Sequence, residues 1–119
     1  KNFLLKNSKN LDNNHDLVAS MGIDYFINNK KNEIHKQKFG FENNSYKNIK
    51  VFLKNCWRTH GLFYSLIRRE NVFKSSKFLK PYIASDWIFM LSLINNGKVC
   101  REKKAFIILG KEGASTQKN

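Results

Sequence analysis

The sequence is poor in the residues that mark several protein classes. It has one proline, six glycines and two cysteines among 119 residues. Cys56 and Cys100 form neither a disulfide framework nor the ligand spacing of a zinc site, so we expect reduced thiols in a cytosolic protein. Because no Pro-rich or Gly/Ser-rich stretch suggests a linker, we predict a single domain over residues 1–119, with 112–119 as a polar tail.

Several sequence motifs are also absent. The glycines form no phosphate-binding loop, no Gly-x-Ser-x-Gly segment occurs, and the three histidines do not cluster with the cysteines at metal-ligand spacing. No signal peptide is visible, and no apolar run approaches the roughly 20 residues of a membrane span. These absences argue against P-loop proteins, serine hydrolases of the α/β type, zinc-finger proteins and integral membrane proteins.

Acidic residues are few: the sequence has nine Asp and Glu but 22 Lys and Arg, which gives a net charge of +13. Such a charge raises nucleic acid, an anionic membrane surface or an acidic substrate as partners. Only four of the basic residues are Arg, the residue that makes bidentate base and phosphate contacts, and the chain also holds 16 Asn. Lys and Asn together indicate a compositional bias, and we expect no nucleic-acid partner. A small basic module that binds nucleic acid or an anionic membrane stays open as the alternative function.

Hydrophobic patterning over the first half predicts strands followed by one helix. Residues 3–5 fit the end of a helix, which the Asn/Asp cluster at 10–16 should interrupt. The apolar residues at 17–21 and 23–27 predict a buried strand. After a turn at 28–32, residues 34–41 are expected to form a second strand that pairs antiparallel with the first. Apolar residues at 49, 52, 53 and 56 have the spacing of an amphipathic helix.

The second half predicts alternating strands and helices. Residues 62–67 form an apolar run typical of a core strand, and a short helix should follow before Pro81, which blocks its continuation. A nearly all-apolar helix should begin with Ser85 as N-cap and Asp86 in its first turn, and end with Gly97 at the C′ position. Short strands are expected at 99–100 and 105–109. The fold class is therefore α/β, with a short mixed sheet and about three to four helices.

Four short segments follow one another in the C-terminal half: YSLIRRE at 64–70, KPYIASDW at 80–87, LSLINNGKV at 91–99 and GAST at 113–116. Their order and spacing resemble the C-terminal half of the family 2 glycosyltransferases, enzymes of the GT-A fold. The resemblance covers residues 50–117 and extends loosely to the strands at 17–41. It implies a partial GT-A-like domain that lacks the N-terminal nucleotide-binding half.

The resemblance gives Asp86 a chemical role. It implies a general base that takes the proton of an acceptor hydroxyl while that oxygen attacks the anomeric carbon of a nucleotide sugar, with inversion. A base must lie within hydrogen-bond reach of its proton, and a first-turn carboxylate on a buried helix is well fixed in space. The alternative is an ordinary acid at a helix N-terminus, which contributes only to helix stability.

The resemblance also suggests contact residues. Tyr82 and Trp87 flank the acid and would stack on a sugar, although ordinary core packing is the alternative for both. Arg68 or Arg69 would meet a diphosphate or acceptor anion, with a solvated strand end as the alternative. Further candidates are His60 for substrate and Lys111, Ser115 and Thr116 for the donor. Members of the family tend to have a histidine where this chain has Lys111-Glu112. Lys111 could bind a phosphate group only through its positive charge.

Other implications concern the missing half. The chain begins with Lys1 and contains no Asp-x-Asp, so we expect an excerpt of a longer enzyme whose metal motif would precede it. The complete enzyme would use Mg or Mn, a nucleotide-sugar donor and a sugar or lipid-linked acceptor in bacterial cell-surface polysaccharide synthesis. This chain alone should bind no metal and show no turnover. The expected location is cytoplasmic, with peripheral association at the inner face of the membrane also considered.

Overall fold

One long strand organises the fold. The computed structural model describes residues 2–28, 31–35, 44–55, 60–81 and 83–109. Strand β1 (Leu17–Asn28) pairs antiparallel with β2 (Lys31–His35) and β3 (Leu66–Ile67), and parallel with β4 (Lys98–Leu109). Ala19 and Ser20 pair with both β3 and β4, so these two strands lie at opposite edges of β1. The sheet is therefore mixed and the class α/β, as the sequence predicts.

Helices cover both faces of this sheet. They are α1 (Phe3–Asn13), α2 (Ser45–Asn55), α3 (His60–Phe63), α4 (Arg69–Ser76) and α5 (Ser85–Asn96). Successive side chains of a strand point to opposite faces. Ser20 donates a hydrogen bond to Asn7 of α1 at 2.7 Å, whereas Met21 packs in the core with α5. The described chain thus holds more helices than predicted, and none of them is long and apolar enough to cross a membrane.

The main core lies between β1, α2 and α5. Its most buried members include Phe52 of α2 and Leu62 of α3, both at 0% exposure. Helix α5 contributes four buried side chains, which are Phe89, Met90, Leu93 and Ile94. Burying one such side chain stabilises the fold by about 1.5–3 kcal/mol. The core therefore holds α5 firmly and fixes the position of both its ends.

The first helix ends inside the Asn/Asp cluster at 10–16, as predicted, but residues 3–5 begin this helix and do not end it, since α1 runs from Phe3 to Asn13. Its asparagines are used in tertiary contacts. Asn7 is fully buried, and the Asn10 side chain donates to Glu102 at 3.1 Å. Ser20 also lies 3.2 Å from the free thiol of Cys100. Packing against the sheet thus overrides the weak helix propensity of Asn.

The strand predicted at 62–67 is wrong over most of its length. Residues 60–63 form α3, and only Leu66–Ile67 pair with β1. A short apolar run does not distinguish a buried strand from a buried helical turn by its period. The strands predicted at 99–100 and 105–109 belong to one strand, β4, whose pairing with β1 is irregular between Arg101 and Phe106. The strand predicted at 34–41 is confirmed as antiparallel at residues 34–35, and residues 36–41 lie outside the described part of the chain. The turn predicted at 28–32 is wrong at both ends, because β1 continues to Asn28 and β2 begins at Lys31.

Candidate functional site

The site suggested by the sequence lies at the head of α5. The predicted N-cap, Ser85, is instead the first helical residue, and Ala84 occupies the cap position without a side-chain hydrogen bond. Ala84 adopts a left-handed conformation with φ 65°. For a residue with a Cβ this conformation costs about 1–2 kcal/mol. Strain of this kind is often found at functional sites, and here it lies two residues before Asp86.

Asp86 occupies the first turn of α5, as predicted, and its side chain is half-buried. The buried face of the same helix anchors it in the core through Phe89, Met90 and Leu93. The carboxylate is therefore held in a defined position without being enclosed in the core. This geometry suits a proton acceptor that a substrate can reach.

Trp87, next to this carboxylate, is half-buried and packs against the core cluster. Part of the indole is therefore buried in the core, which agrees with core packing as the role of Trp87. Stacking of its remaining surface on a sugar stays a prediction.

Arg68 lies between β3 and α4 and binds the scaffold. Its Nε donates to the carbonyl of Leu17 at 2.7 Å, and its Nη2 donates to the carbonyls of Leu11 at 2.5 Å and Asn14 at 3.2 Å. Cationic donors stabilise the exposed carbonyls at a helix C-terminus, which is where Leu11 and Asn14 lie. The guanidinium therefore fastens the end of α1 and the start of β1. Contact of Arg68 with a substrate anion stays a prediction.

Several predicted site residues cannot be assigned to this region. Tyr82, Lys111, Ser115 and Thr116 lie outside the described residues. His60 begins α3, but only its backbone belongs to the description. The structure thus places Asp86 and its sequence neighbour Trp87 in the first turn of α5 and leaves the other proposed contacts as predictions.

Sequence reasoning missed a buried charged group on β1. Asp24 is only 1% exposed, and its Oδ2 accepts a hydrogen bond from the backbone N–H of Gly61 at 3.1 Å. Burial lowers the pKa of Arg101, and the negative charge of Asp24 opposes this shift. A carboxylate and a guanidinium in one buried region stabilise each other's charged forms. The only sequence signal was an acid inside an otherwise apolar strand segment.

An open cleft lies at the other end of α5. It has a volume of about 480 Å³ and is lined mainly by polar residues, namely Asp16, Ser45, Asn48, Ile94, Asn95, Asn96, Gly97 and Lys98. Lys98 Nζ and Asp16 Oδ2 form an ion pair at 2.5 Å beside it. With a rise of about 1.5 Å per helical residue, this end is about 15 Å from the turn that carries Asp86. The cleft is therefore separate from the proposed proton acceptor.

Gly97 separates α5 from β4 at this cleft. It follows the helix directly, as predicted, but its backbone is extended, with φ 167°. A Cβ at this position would come within 2.4 Å of Val18 Cγ1. Close approach to β1, and not a left-handed turn, is the reason that a glycine fits here.

Potential metal ligands do not gather in the described part of the chain. No group of three or more His, Cys, Asp or Glu side chains there has a geometry that could hold a metal ion.

Comparison with known proteins adds no relative. No family model, curated protein or solved structure matches this chain.

Proposed function

We propose that this chain forms the acceptor-binding side of an inverting, metal-dependent glycosyltransferase similar to family 2 enzymes. The ordered segments between Tyr64 and Thr116 support the family. The observation that carries the mechanism is the position of Asp86, half-buried in the first turn of a helix that the core holds in place. The enzyme class and this residue's role are proposed together, because the role follows from the position of the acid in the resembling segments.

In this mechanism Asp86 is the general base. Its carboxylate accepts the proton of an acceptor hydroxyl as the hydroxyl oxygen forms a bond to the anomeric carbon of the donor sugar. The bond from that carbon to the nucleoside diphosphate breaks on the opposite side, so the configuration inverts and the diphosphate leaves with the bonding electrons. A positioned base of this kind contributes about 10²–10⁴-fold to the rate.

Donor binding and acceptor binding would belong to two different parts of the enzyme. Donor, nucleotide and the divalent ion, Mg or Mn, belong to a donor-binding half with an Asp-x-Asp motif, which this sequence does not contain. The present residues would place the acceptor and remove its proton. Trp87, and Tyr82 beyond the described residues, are the proposed sugar contacts beside the base.

Substitution of the base tests the proposal in the complete enzyme. Asp86→Asn keeps the shape of the side chain and removes its ability to take a proton, so we expect kcat to fall at least about 100-fold. Donor affinity, measured by calorimetry, should remain unchanged because the donor lies elsewhere. Asp12→Asn is the matched control, since Asp12 is an exposed acid on α1, across the sheet from α5. Nearly normal turnover of Asp86→Asn would exclude Asp86 as the base.

A further inference from the structure

Helix α4 has its polar side inward and its apolar side outward. Asn71 and Ser75 are buried at 6% and 0% exposure, and Ser75 Oγ accepts a hydrogen bond from Asn96 of α5 at 3.3 Å. Phe73, which lies about 200° around the helix from Asn71, is 59% exposed. A helix that covers a core normally buries its apolar stripe. The apolar side of α4 therefore makes no use of the core.

Exposed apolar side chains continue beyond the end of α4. Phe78 is 56% exposed, Leu79 is 43% exposed and Ile83 is completely exposed at 101%. Single exposed apolar residues are ordinary on protein surfaces, but several within a dozen residues mark an interaction surface. Together with Phe73 they define what we call the α4 surface, residues 69–81 and 83.

The same segment is strongly basic. Its charged residues, all exposed, are Arg69, Glu70, Lys74, Lys77 and Lys80. The Arg69 guanidinium lies 5.4 Å from the centre of the Phe73 ring, so cation and aromatic ring are presented together. Four cations to one acid, between exposed Phe, Leu and Ile side chains, are the composition of an interfacial membrane-binding segment.

We propose that the α4 surface docks on an anionic lipid surface. Phe73, Phe78 and Ile83 would enter the boundary between headgroups and acyl chains, while the lysines would remain among the headgroup phosphates. Each Lys or Arg near an anionic membrane adds to this attraction. This proposal is independent of the proposed transferase activity, since it depends only on exposure, charge and apolarity.

Charge complementarity favours a membrane over the other occupants. A second copy docking through the same surface would bring two sets of cations together, which opposes association. Single-stranded nucleic acid would use aromatic side chains for base stacking, but Leu79 and Ile83 offer no ring for it. An anionic bilayer accepts both the cations and the aliphatic side chains.

Vesicle co-sedimentation of the full chain tests the apolar contribution. The vesicles contain phosphatidylcholine, alone or with about 30 mol % phosphatidylglycerol, and we expect binding only to the anionic vesicles. Phe73→Ser with Ile83→Ser should weaken this binding at least about tenfold, because both side chains lose their burial in lipid. The matched control is Leu4→Ser with Leu5→Ser on α1, which removes two other exposed apolar groups, at 66% and 71% exposure, from across the sheet. Equal losses in both double variants would overturn the proposal.

A second set of variants tests the charges. Lys74→Gln, Lys77→Gln and Lys80→Gln combined should weaken binding to the anionic vesicles at least about tenfold. The control changes three exposed lysines elsewhere, Lys9, Lys50 and Lys103, with the same change of net charge. Because all these residues are exposed, no variant should unfold at a markedly lower temperature than the wild type. Absence of wild-type binding, equal binding to neutral vesicles, or a dimer or RNA complex formed through the α4 surface would each overturn lipid docking.

Discussion

At the scale of single residues, Arg68 connects segments that are distant in sequence. It directs its Nε and Nη2 to three backbone carbonyls around the end of α1 and the start of β1. Its neighbour Arg69 is exposed, and its described interaction is the stack on Phe73. Two adjacent and identical residues thus have different structural roles, which gives a matched pair for measurement.

Arg68→Ala should destabilise the protein by about 2–4 kcal/mol, because it removes charged hydrogen bonds and leaves carbonyls without these donors. Arg69→Ala should cost less than about 1 kcal/mol, as expected for an exposed cation–π contact. Urea unfolding of both variants measures the difference. If the two variants were equally stable, the hydrogen bonds of Arg68 would contribute little to the fold.

Residue positions were predictable where the signal was local. Asp86 lies in the first turn of α5, as predicted, because the apolar run and its preceding polar residues define the helix. Asp24 was missed, because a carboxylate within strand-forming residues gives no sign of which backbone N–H will meet it. Similarly, the sequence did not distinguish Arg68 from Arg69, since their difference arises from contacts with α1 and β1.

At the scale of elements, α3 packs unusually closely on β1. Gly61 lies directly against the buried carboxylate of Asp24, and a Cβ at this glycine would fall 1.7 Å from Asp24 Oδ1. The N–H of Gly61 also donates to Asp24 Oδ2. The absence of a side chain at position 61 is therefore what permits this contact between α3 and β1.

Gly61→Ala should destabilise the protein by about 2–3 kcal/mol through overpacking. In an Asp24→Gly background the same change should cost at least about 1 kcal/mol less, since the clashing group is gone. A double-mutant cycle by chemical denaturation measures this coupling. Additive effects would show that the glycine is required for another reason. The control is Gly97→Ala, whose clash is with Val18 and which should remain insensitive to Asp24→Gly.

Elements with a clear period were predicted correctly. The amphipathic spacing at 49–56 predicted the helix that the structure shows as α2, and the apolar run after Ser85 predicted α5. Failures occurred where burial is decided by the partner. The run at 62–67 became a helical turn and a two-residue strand, and α4 leaves Phe73 exposed although a helix that covers a core normally buries its apolar residues.

At the scale of the whole molecule, the excess of 22 basic over nine acidic residues is the dominant electrostatic feature. Like charges on a compact surface repel one another and destabilise the folded state. Salt screens this repulsion, with a Debye length of about 10 Å at 0.1 M.

The melting temperature should therefore rise by about 2–5 °C between roughly 20 and 300 mM NaCl. Calorimetry at neutral pH measures the shift. The triple Lys→Gln variant at positions 9, 50 and 103 carries less charge and should show a smaller rise. A fall in melting temperature with salt would mean that attractive pairs such as Lys98–Asp16 outweigh the repulsion.

The pairing of β1 with β4 has a consequence for synthesis of the chain. Leu17 pairs with Lys98 and Phe26 with Leu109, so the parallel partner of the central strand is made about 80 residues after it. Contacts between such distant segments slow folding, because a long loop must close first. During synthesis on the ribosome, the edge of β1 that pairs with β4 stays unpaired until residues 98–109 leave the exit tunnel. Strand β2 pairs with the opposite edge of β1 and cannot cover this one, whereas α1, which is made before β1, can already pack on one face of the strand.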